Sequence, residues 1–416
     1  SSDVCSSDLP KGTTVVLTII PADADMSVRK TISLVRDEIK LESQQAKATI
    51  VDGPGADGKK VRLGVIDLPS FYASEGVSAT ADVSLLLAKL AEANVQGIIL
   101  DLRRNGGGSL DEAIKLTGLF FDYGPVVQTK DSEGRVQTSR DPDSLTRCDK
   151  PLIVLTSRMS ASASELLAGA IQDYGRGIIV GDPSTFGKGT VQNMIQLASV
   201  MKELNLPTDG NPGALKLTIR KFYRPSGSST QLKGVVPDII LPTPTSPMKL
   251  GEIEMSEALP WDQVPVARFD KQQRVEPYVA MLRRKSARRI AGDEEFVWLR
   301  EDIERFRKRR DDPVVSLNEA ERRREQKEQE HRLEERNRER ARNKPAPETK
   351  YEITLKNVSA PGLPAPVSAS STNATLASTK TNHDALGDDD KPSVGDPVLD
   401  ETKHILADYI DALTSH

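Results

Sequence analysis

Apolar and polar positions change rhythm three times along this 416-residue chain. At 15–20 (VVLTII) and 31–35 (TISLV) two β-branched runs flank the turn-prone stretch 21–25, and this predicts a strand pair. So short a segment cannot bury a core alone. It reads as the tail of a module whose first half is absent, or as an edge of the next domain. From residue 60 to 242 apolar runs alternate with helical periods. Strands are expected at 62–68, 97–102, 152–156, 177–181 and 215–222, and helices at 77–93, 109–121 and 161–174. In the first of these helices Leu86, Leu87 and Leu90 follow Ala79 and Val83 at the 3.6-residue period. Alternation of this kind predicts an α/β layer fold. The run PTPTSP at 242–247 closes the block as a stiff linker.

Beyond residue 250 the pattern becomes polar. Residues 298–343 favour helix, interrupted at Asp311-Asp312-Pro313 and restarted by the capping box Ser316-x-x-Glu319. Charges of both signs alternate there, as in Glu321-Arg322-Arg323-Arg324-Glu325. Such a face fits a solvated helix braced by neighbouring ion pairs better than a nucleic acid contact. Residues 361–397, rich in Ser, Thr, Asn, Asp and Pro, read as disordered linker. After them Ile405, Leu406, Tyr409, Ile410 and Leu413 mark a short amphipathic helix that needs a surface to dock on.

Composition narrows the classes. The hydrophobic fraction is 37%, low for a wholly globular chain, and 28% of residues are charged; the polar excess falls after residue 300. A net charge of −4 gives no global field that would favour nucleic acid or an anionic membrane. Cys5 and Cys148 are too few for a disulfide framework, and two unpaired thiols are expected rather than a Cys5–Cys148 bond. No apolar run reaches 18 residues, so no membrane span is expected. The start, 1–9, is polar, lacks the features of a signal peptide and reads as non-native or disordered.

The chemistry is set by what surrounds one serine cluster. Ser160-Ala161-Ser162-Ala163-Ser164-Glu165 follows the apolar run 152–156 and opens an Ala-rich helix. A nucleophile at such a turn gains from the helix N-terminus and its free amides, which can hold an oxyanion. Small residues there could equally serve only capping and packing, and spacing does not choose among Ser160, Ser162 and Ser164. The four histidines, His331, His383, His404 and His416, all lie beyond residue 330, so no core imidazole is available as a base. Lys188, in Phe186-Gly187-Lys188-Gly189-Thr190, is the substitute. To act, it must be neutral, although an unperturbed lysine titrates near 10.4; burial could lower this by about 3 units. The loop superficially resembles a phosphate-binding P-loop, but Thr190 does not directly follow Lys188 and the glycine spacing is wrong. Asp101-Leu102-Arg103-Arg104-Asn105-Gly106-Gly107-Gly108 ends another strand, and its glycines suit a phosphate cradle or half of an oxyanion hole.

Four motifs taken together resemble the C-terminal processing peptidases: Asp-Leu-Arg-x-Asn-Gly-Gly-Gly at 101–108, Ser-Ala-Ser-Ala-Ser-Glu at 160–165, Gln-Asp-Tyr-Gly-Arg at 172–176 and Thr-Phe-Gly-Lys-Gly-Thr-Val-Gln at 185–192. Lys233–Ile240 and Ala258–Asp262 extend the likeness, which covers about residues 10–345. The resemblance implies Ser162 as nucleophile, Lys188 as general base, Gln192 orienting Lys188, and a supporting role for Asp173. It implies an oxyanion hole from the amides of Ala163 and Gly108. It further implies a periplasmic endopeptidase that needs no ATP, metal or other cofactor. Its substrates would be unfolded or tagged proteins with apolar C-termini, and it would contact no nucleic acid; a lipoprotein adaptor is a partner the resemblance allows. The implied fold is α/β, with a layered crotonase-like core at 46–245, the C-terminal part of a PDZ domain at 10–45 and a helical C-terminal domain at 250–345. A disordered linker at 346–397 and the short helix at 398–416 follow; 361–416 carries no motif of the family. The loop 181–185 is one residue longer than the usual pattern.

Two other readings stand beside this one: a non-catalytic peptide-binding scaffold or chaperone using the same groove, and an α/β acyl-CoA enzyme in which the Ser/Lys pair is incidental. Intact Ser162, Lys188 and Gln192 weigh against the first, and the lack of a cluster for the CoA phosphates weighs against the second.

Overall fold

The apolar runs expected as strands do form strands. The computed structural model describes residues 11–21, 25, 27–37, 44–54, 60–143, 145–207, 210–312, 314–343, 348–367 and 395–414. The expected non-native start at 1–9, and with it Cys5, lies outside the described residues. The chain divides into two units, Ser1–Gln45 and Ala46–His416. In the first, β1 (Thr14–Ile19) and β2 (Lys30–Val35) pair antiparallel, with Thr14 opposite Val35 and Ile19 opposite Lys30.

The second unit begins with β3 (Lys47–Pro54), β4 (Lys60–Asp67), the short pair β5 (Ala73–Ser74) and β6 (Val77–Ser78), then α1 (Ala79–Glu92) and β7 (Gly97–Asp101). Next come α2 (Leu110–Gly118), β8 (Pro125–Lys130), β9 (Val136–Arg140), β10 (Leu152–Thr156), α3 (Ala163–Tyr174) and β11 (Ile178–Gly181). The hairpin β12 (Thr190–Gln196) and β13 (Ala214–Tyr223), with α4 (Leu197–Glu203) between them, and β14 (Ile239–Ile240) complete the first half. The polar half supplies α5 (Glu276–Gly292), α6 (Glu294–Asp311), α7 (Glu319–Arg342), β15 (Thr349–Ile353) and α8 (Pro397–Thr414).

A seven-stranded mixed sheet, in the order β14-β11-β10-β7-β4-β3-β15, organises this unit. The strands from β14 to β4 run parallel, whereas β3 and β15 are antiparallel additions. The central strands are apolar on both faces because both are covered. In β7, Ile98 and Leu100 enter one core with Leu86, Leu90, Leu116 and Leu167, while Ile99 points to the other. In β10, Leu152 and Val154 join the first core; Ile153 and Leu155 join the second, with Leu282, Ile405, Leu406 and Tyr409. The helices α1, α2 and α3 thus cover one face, and α5 and α8 the other. A second sheet, β12-β13-β8-β9, is antiparallel.

Several expectations need correction. The linker assigned to 346–397 contains β15, which pairs with β3 from Thr349 opposite Asp52 to Ile353 opposite Ala48; its polar residues fit because this is the sheet edge. The rest of that linker, at 368–394, lies outside the described residues. The stretch 242–247 is no free spacer: buried Asp182 accepts the hydroxyls of Thr245 at 2.6 Å and Ser246 at 2.9 Å, and that of Thr243 as well. The helix α7 is capped by Asn318, whose Oδ1 accepts from Ala320 and Glu321, while Ser316 bonds the Glu321 side chain instead. The expected docking surface for the last helix is the sheet face itself. There α8 is fixed by ion pairs from Arg289 to Glu401 and Asp408, and from Lys403 to Glu348. Cys148 is a buried free thiol. Among the described residues no helix is long and apolar enough to cross a membrane.

Candidate active site

Strand β10 runs out of the sheet at Thr156, and the chain turns through 157–162 into α3. Ser162 occupies the N-cap position with φ 57° and ψ −114°, a conformation that costs a non-glycine residue about 1–3 kcal/mol. Its surroundings hold it there. The Ser162 amide donates to Glu165 Oε2 at 2.8 Å, and the Ser162 carbonyl accepts from Glu165 and Leu166 at 2.9 and 3.0 Å.

The three serines that spacing could not separate have different surroundings. The hydroxyl of Ser160 is buried, donates to the Leu102 carbonyl at 2.8 Å and accepts from the Ser157 amide at 2.9 Å. That of Ser164 is buried and donates to the Asn105 carbonyl at 2.8 Å. Ser162 is half-buried, and its hydroxyl, unlike those of Ser160 and Ser164, is not tied to a carbonyl among the described residues.

The glycine run lies directly against this turn. Gly107, at φ 110°, presents its Cα so closely that a β-carbon there would stand 2.9 Å from both the Ala161 carbonyl oxygen and Ser162 Cβ. Its own amide donates to Asn105 Oδ1 at 2.9 Å. Gly108 is wedged under Phe71, whose carbonyl oxygen a β-carbon would meet at 2.3 Å. Buried Asn105 joins the two loops: Nδ2 donates to Leu68, and its carbonyl accepts from Ala161 N and Ser164 Oγ. The amides of Gly108 and Ala163 have no hydrogen-bond acceptor among the described residues.

The backbone of the Lys188 loop is tied to the same turn. A single carboxylate joins both loops: Glu165 Oε2 accepts the amides of Ser162 at 2.8 Å and of Lys188 at 3.0 Å, while Oε1 accepts Thr185 Oγ1 at 2.6 Å and the Gly187 amide at 2.7 Å. The backbone nitrogens of Ser162 and Lys188 therefore share one oxygen. Glu165 is fully buried, and burial pushes its carboxyl up to about 7 against the pull of these four donors. The Lys188 ammonium donates to Gln192 Oε1 at 3.3 Å. Its pKa is lowered, first by burial and then by the charge of Lys216 on β13, with Glu252 and Glu165 opposing. Pairing of β12 with β13 sets Gln192 opposite Thr218 and Met194 opposite Lys216, so Lys216 lies on the Gln192 face one step along the sheet.

Asp173 lies elsewhere. It sits eleven residues along α3, about 16 Å at 1.5 Å per residue. There it accepts Arg224 at 2.5 Å and the Ser226 amide at 2.9 Å, tying the helix end to the turn after β13. Its support for the site is indirect. Sequence reasoning missed two hubs, Glu165 and Asn105. For Glu165 a signal was present, because Ser162-x-x-Glu165 has the capping-box spacing; for Asn105, whose partners are mostly backbone atoms, there was none.

Residues 62–241 match peptidase family S41, and residues 245–411 match the C-terminal domain of tail specific protease. The second match reaches into 361–416, which corrects the expectation that this tail stands outside the family. The tail-specific protease of Haemophilus influenzae is 42% identical over 312 residues, covering 74% of this chain and 42% of that protein. The carboxy-terminal-processing protease of Bartonella bacilliformis is 36% identical over 240 residues, covering 56% of this chain and 48% of its own length. A solved photosystem II D1 C-terminal processing protease aligns with a TM-score of 0.40 at 28% identity, over 55% of this chain and 56% of that one. The chain spans less than half the length of these two curated relatives. With the two matches adjoining and the motif residues in place, residues 62–241 are a peptidase family S41 domain, followed by the C-terminal domain found in tail-specific proteases.

Proposed function

We propose that this chain carries the catalytic part of an ATP-independent serine endopeptidase working through a Ser162–Lys188 dyad. The observation that carries the reading is the shared carboxylate oxygen of Glu165, which grips the amides of both residues. A buried carboxylate bonded to both loops holds the backbones of the proposed nucleophile and base together, which supports a reading that depends on their proximity. In the reaction, neutral Lys188 takes the proton of the Ser162 hydroxyl as Oγ attacks the scissile carbonyl. The amides of Gly108 and Ala163 receive the oxyanion, and the N-terminus of α3 adds its positive end. Lys188 then gives the proton to the departing amine, and a water it deprotonates opens the ester on Ser162. Gln192 orients the base, which the bond from Lys188 Nζ supports.

The substrates on this reading are unfolded or tagged proteins with apolar C-termini, met in the periplasm. The hairpin β1–β2 is taken as the closing strands of a PDZ domain, and the layers around the seven-stranded sheet as a crotonase-like core. The test uses a denatured protein with an apolar C-terminus, incubated with the wild type, Ser162→Ala, Lys188→Ala and Ser164→Ala. Cleavage by the wild type and Ser164→Ala alone is expected. Loss in Ser164→Ala with retention in Ser162→Ala would refute the assignment, and binding without cleavage by every form would favour a scaffold.

A further inference from the structure

The C-terminal helix meets the loop that carries Gly108 at Arg103. Asp396 caps α8: its Oδ1 accepts the Leu399 amide at 3.0 Å, and its carbonyl accepts Asp400 N at 2.9 Å. The same carboxylate takes a two-pronged contact from Arg103, Nη1 to Oδ1 at 3.0 Å and Nη2 to Oδ2 at 2.7 Å. Arg103 is held from its other side by Asp101, which accepts the Arg103 amide at 3.0 Å and its guanidinium at 2.6 Å. Arg103 is also where the two catalytic loops cross. Its carbonyl accepts Ser157 Oγ at 2.5 Å, and Ser157 Oγ in turn accepts the Met159 amide at 3.0 Å in the turn leading to Ser162. Two residues on stands Asn105, whose amide returns to Leu102.

We propose that Asp396 is a positioning residue for the oxyanion loop: by fixing the outer end of Arg103 it sets the backbone of 103–108, and so the aim of the Gly108 amide. The proposal rests on the serine-peptidase reading. Asp101 alone would hold Arg103 to its own strand and leave the far edge of the guanidinium free to swing. A second carboxylate on the other edge of the planar guanidinium adds a second bidentate pair and with it geometric definition. An oxyanion donor is sensitive to such aim, since one lost donor lowers the rate about 100- to 1,000-fold.

The test compares a peptide aldehyde, which Ser162 adds to and converts into an oxyanion-like adduct, with the corresponding peptide alcohol, which it cannot. Asp396→Asn is the informative variant, because asparagine caps a helix as well as aspartate but does not pair with Arg103 as an anion. Glu401→Gln is the control, because Glu401 fixes the same helix to Arg289 with no contact to the loop. We expect Asp396→Asn to cut the aldehyde-to-alcohol affinity ratio about tenfold or more with the alcohol unchanged, Asp396→Glu to restore it, and Glu401→Gln to leave it intact. The ratio cancels any general loss of folded protein. An unchanged ratio in Asp396→Asn, or an equal fall in Glu401→Gln, overturns the proposal. A ratio near one in the wild type would instead refute the serine chemistry itself.

Discussion

Replacing Glu165 by glutamine should abolish a pH dependence of stability, at the cost of the two hydrogen bonds that an amide nitrogen cannot accept. The side chain is fully buried among four donors, with its carboxyl pushed up to about 7 from an ordinary 4.5. Between those two values the folded protein holds a proton that the unfolded chain has released. Stability from this group is therefore fully present below about pH 4.5, falls as pH rises, and is lost above about 7. Each pH unit of that gap corresponds to about 1.4 kcal/mol, so the wild type should lose about 3 kcal/mol across it. Glutamine does not titrate, so in Glu165→Gln this slope vanishes. Urea unfolding of both proteins at pH 5, 6, 7 and 8 reads the difference directly, because titrations elsewhere cancel. A flat difference curve, or one of opposite sign, would refute the claim that burial dominates at this carboxylate. Activity should move the other way. As pH falls, Glu165 takes up a proton and loosens its grip on the amides of Ser162 and Lys188, so cleavage declines where this contribution to stability grows.

Lys216→Ala removes a positive charge beside Lys188, so the acid limb of Ser162 acylation should move to higher pH, while Lys216→Arg holds it in place; the pH profile of labelling by a serine-directed reagent is the measurement. Gly107→Ala puts a β-carbon 2.9 Å from Ser162 Cβ at a φ of 110°, and should abolish cleavage while costing about 1–3 kcal/mol in thermal unfolding. Arg176→Met strips the donor from the carbonyls of Phe120, Cys148 and Lys150, bonded at 2.6, 2.8 and 3.0 Å, and should cost about 3 kcal/mol or more in urea unfolding.

The centre of the fold was legible because its strands are covered on both faces, so runs such as Leu152–Thr156 are unbroken apolar sequence. Helix α1 was legible from its buried stripe Val83, Leu86, Leu87 and Leu90. The edges were not. Strand β15 reads Thr-Lys-Tyr-Glu-Ile, exposed over most of its length, and its polar neighbourhood hid it. Of the β12–α4–β13 arm, β13 was expected at 215–222 but β12 and α4 were not; with Met194 exposed, burial gives them no face to announce. At the site, side chains that do chemistry could be named from motifs. The groups that hold them act mainly through backbone amides and carbonyls, as Glu165 and Asn105 do, and such partnerships leave little trace in residue type.

Strand β15 and helix α8 come from the last part of the chain yet complete a sheet whose first strand begins at Lys47. Ala48 must wait for Ile353, three hundred residues later, before its edge is closed. Contacts at such separation are slow to form, since the loop between them must close first. A growing polypeptide therefore cannot assemble the finished catalytic block until nearly everything described here has been synthesised. Until then the part of the sheet that the last helix covers stays bare, and a ribosome-bound intermediate would need shielding from its neighbours.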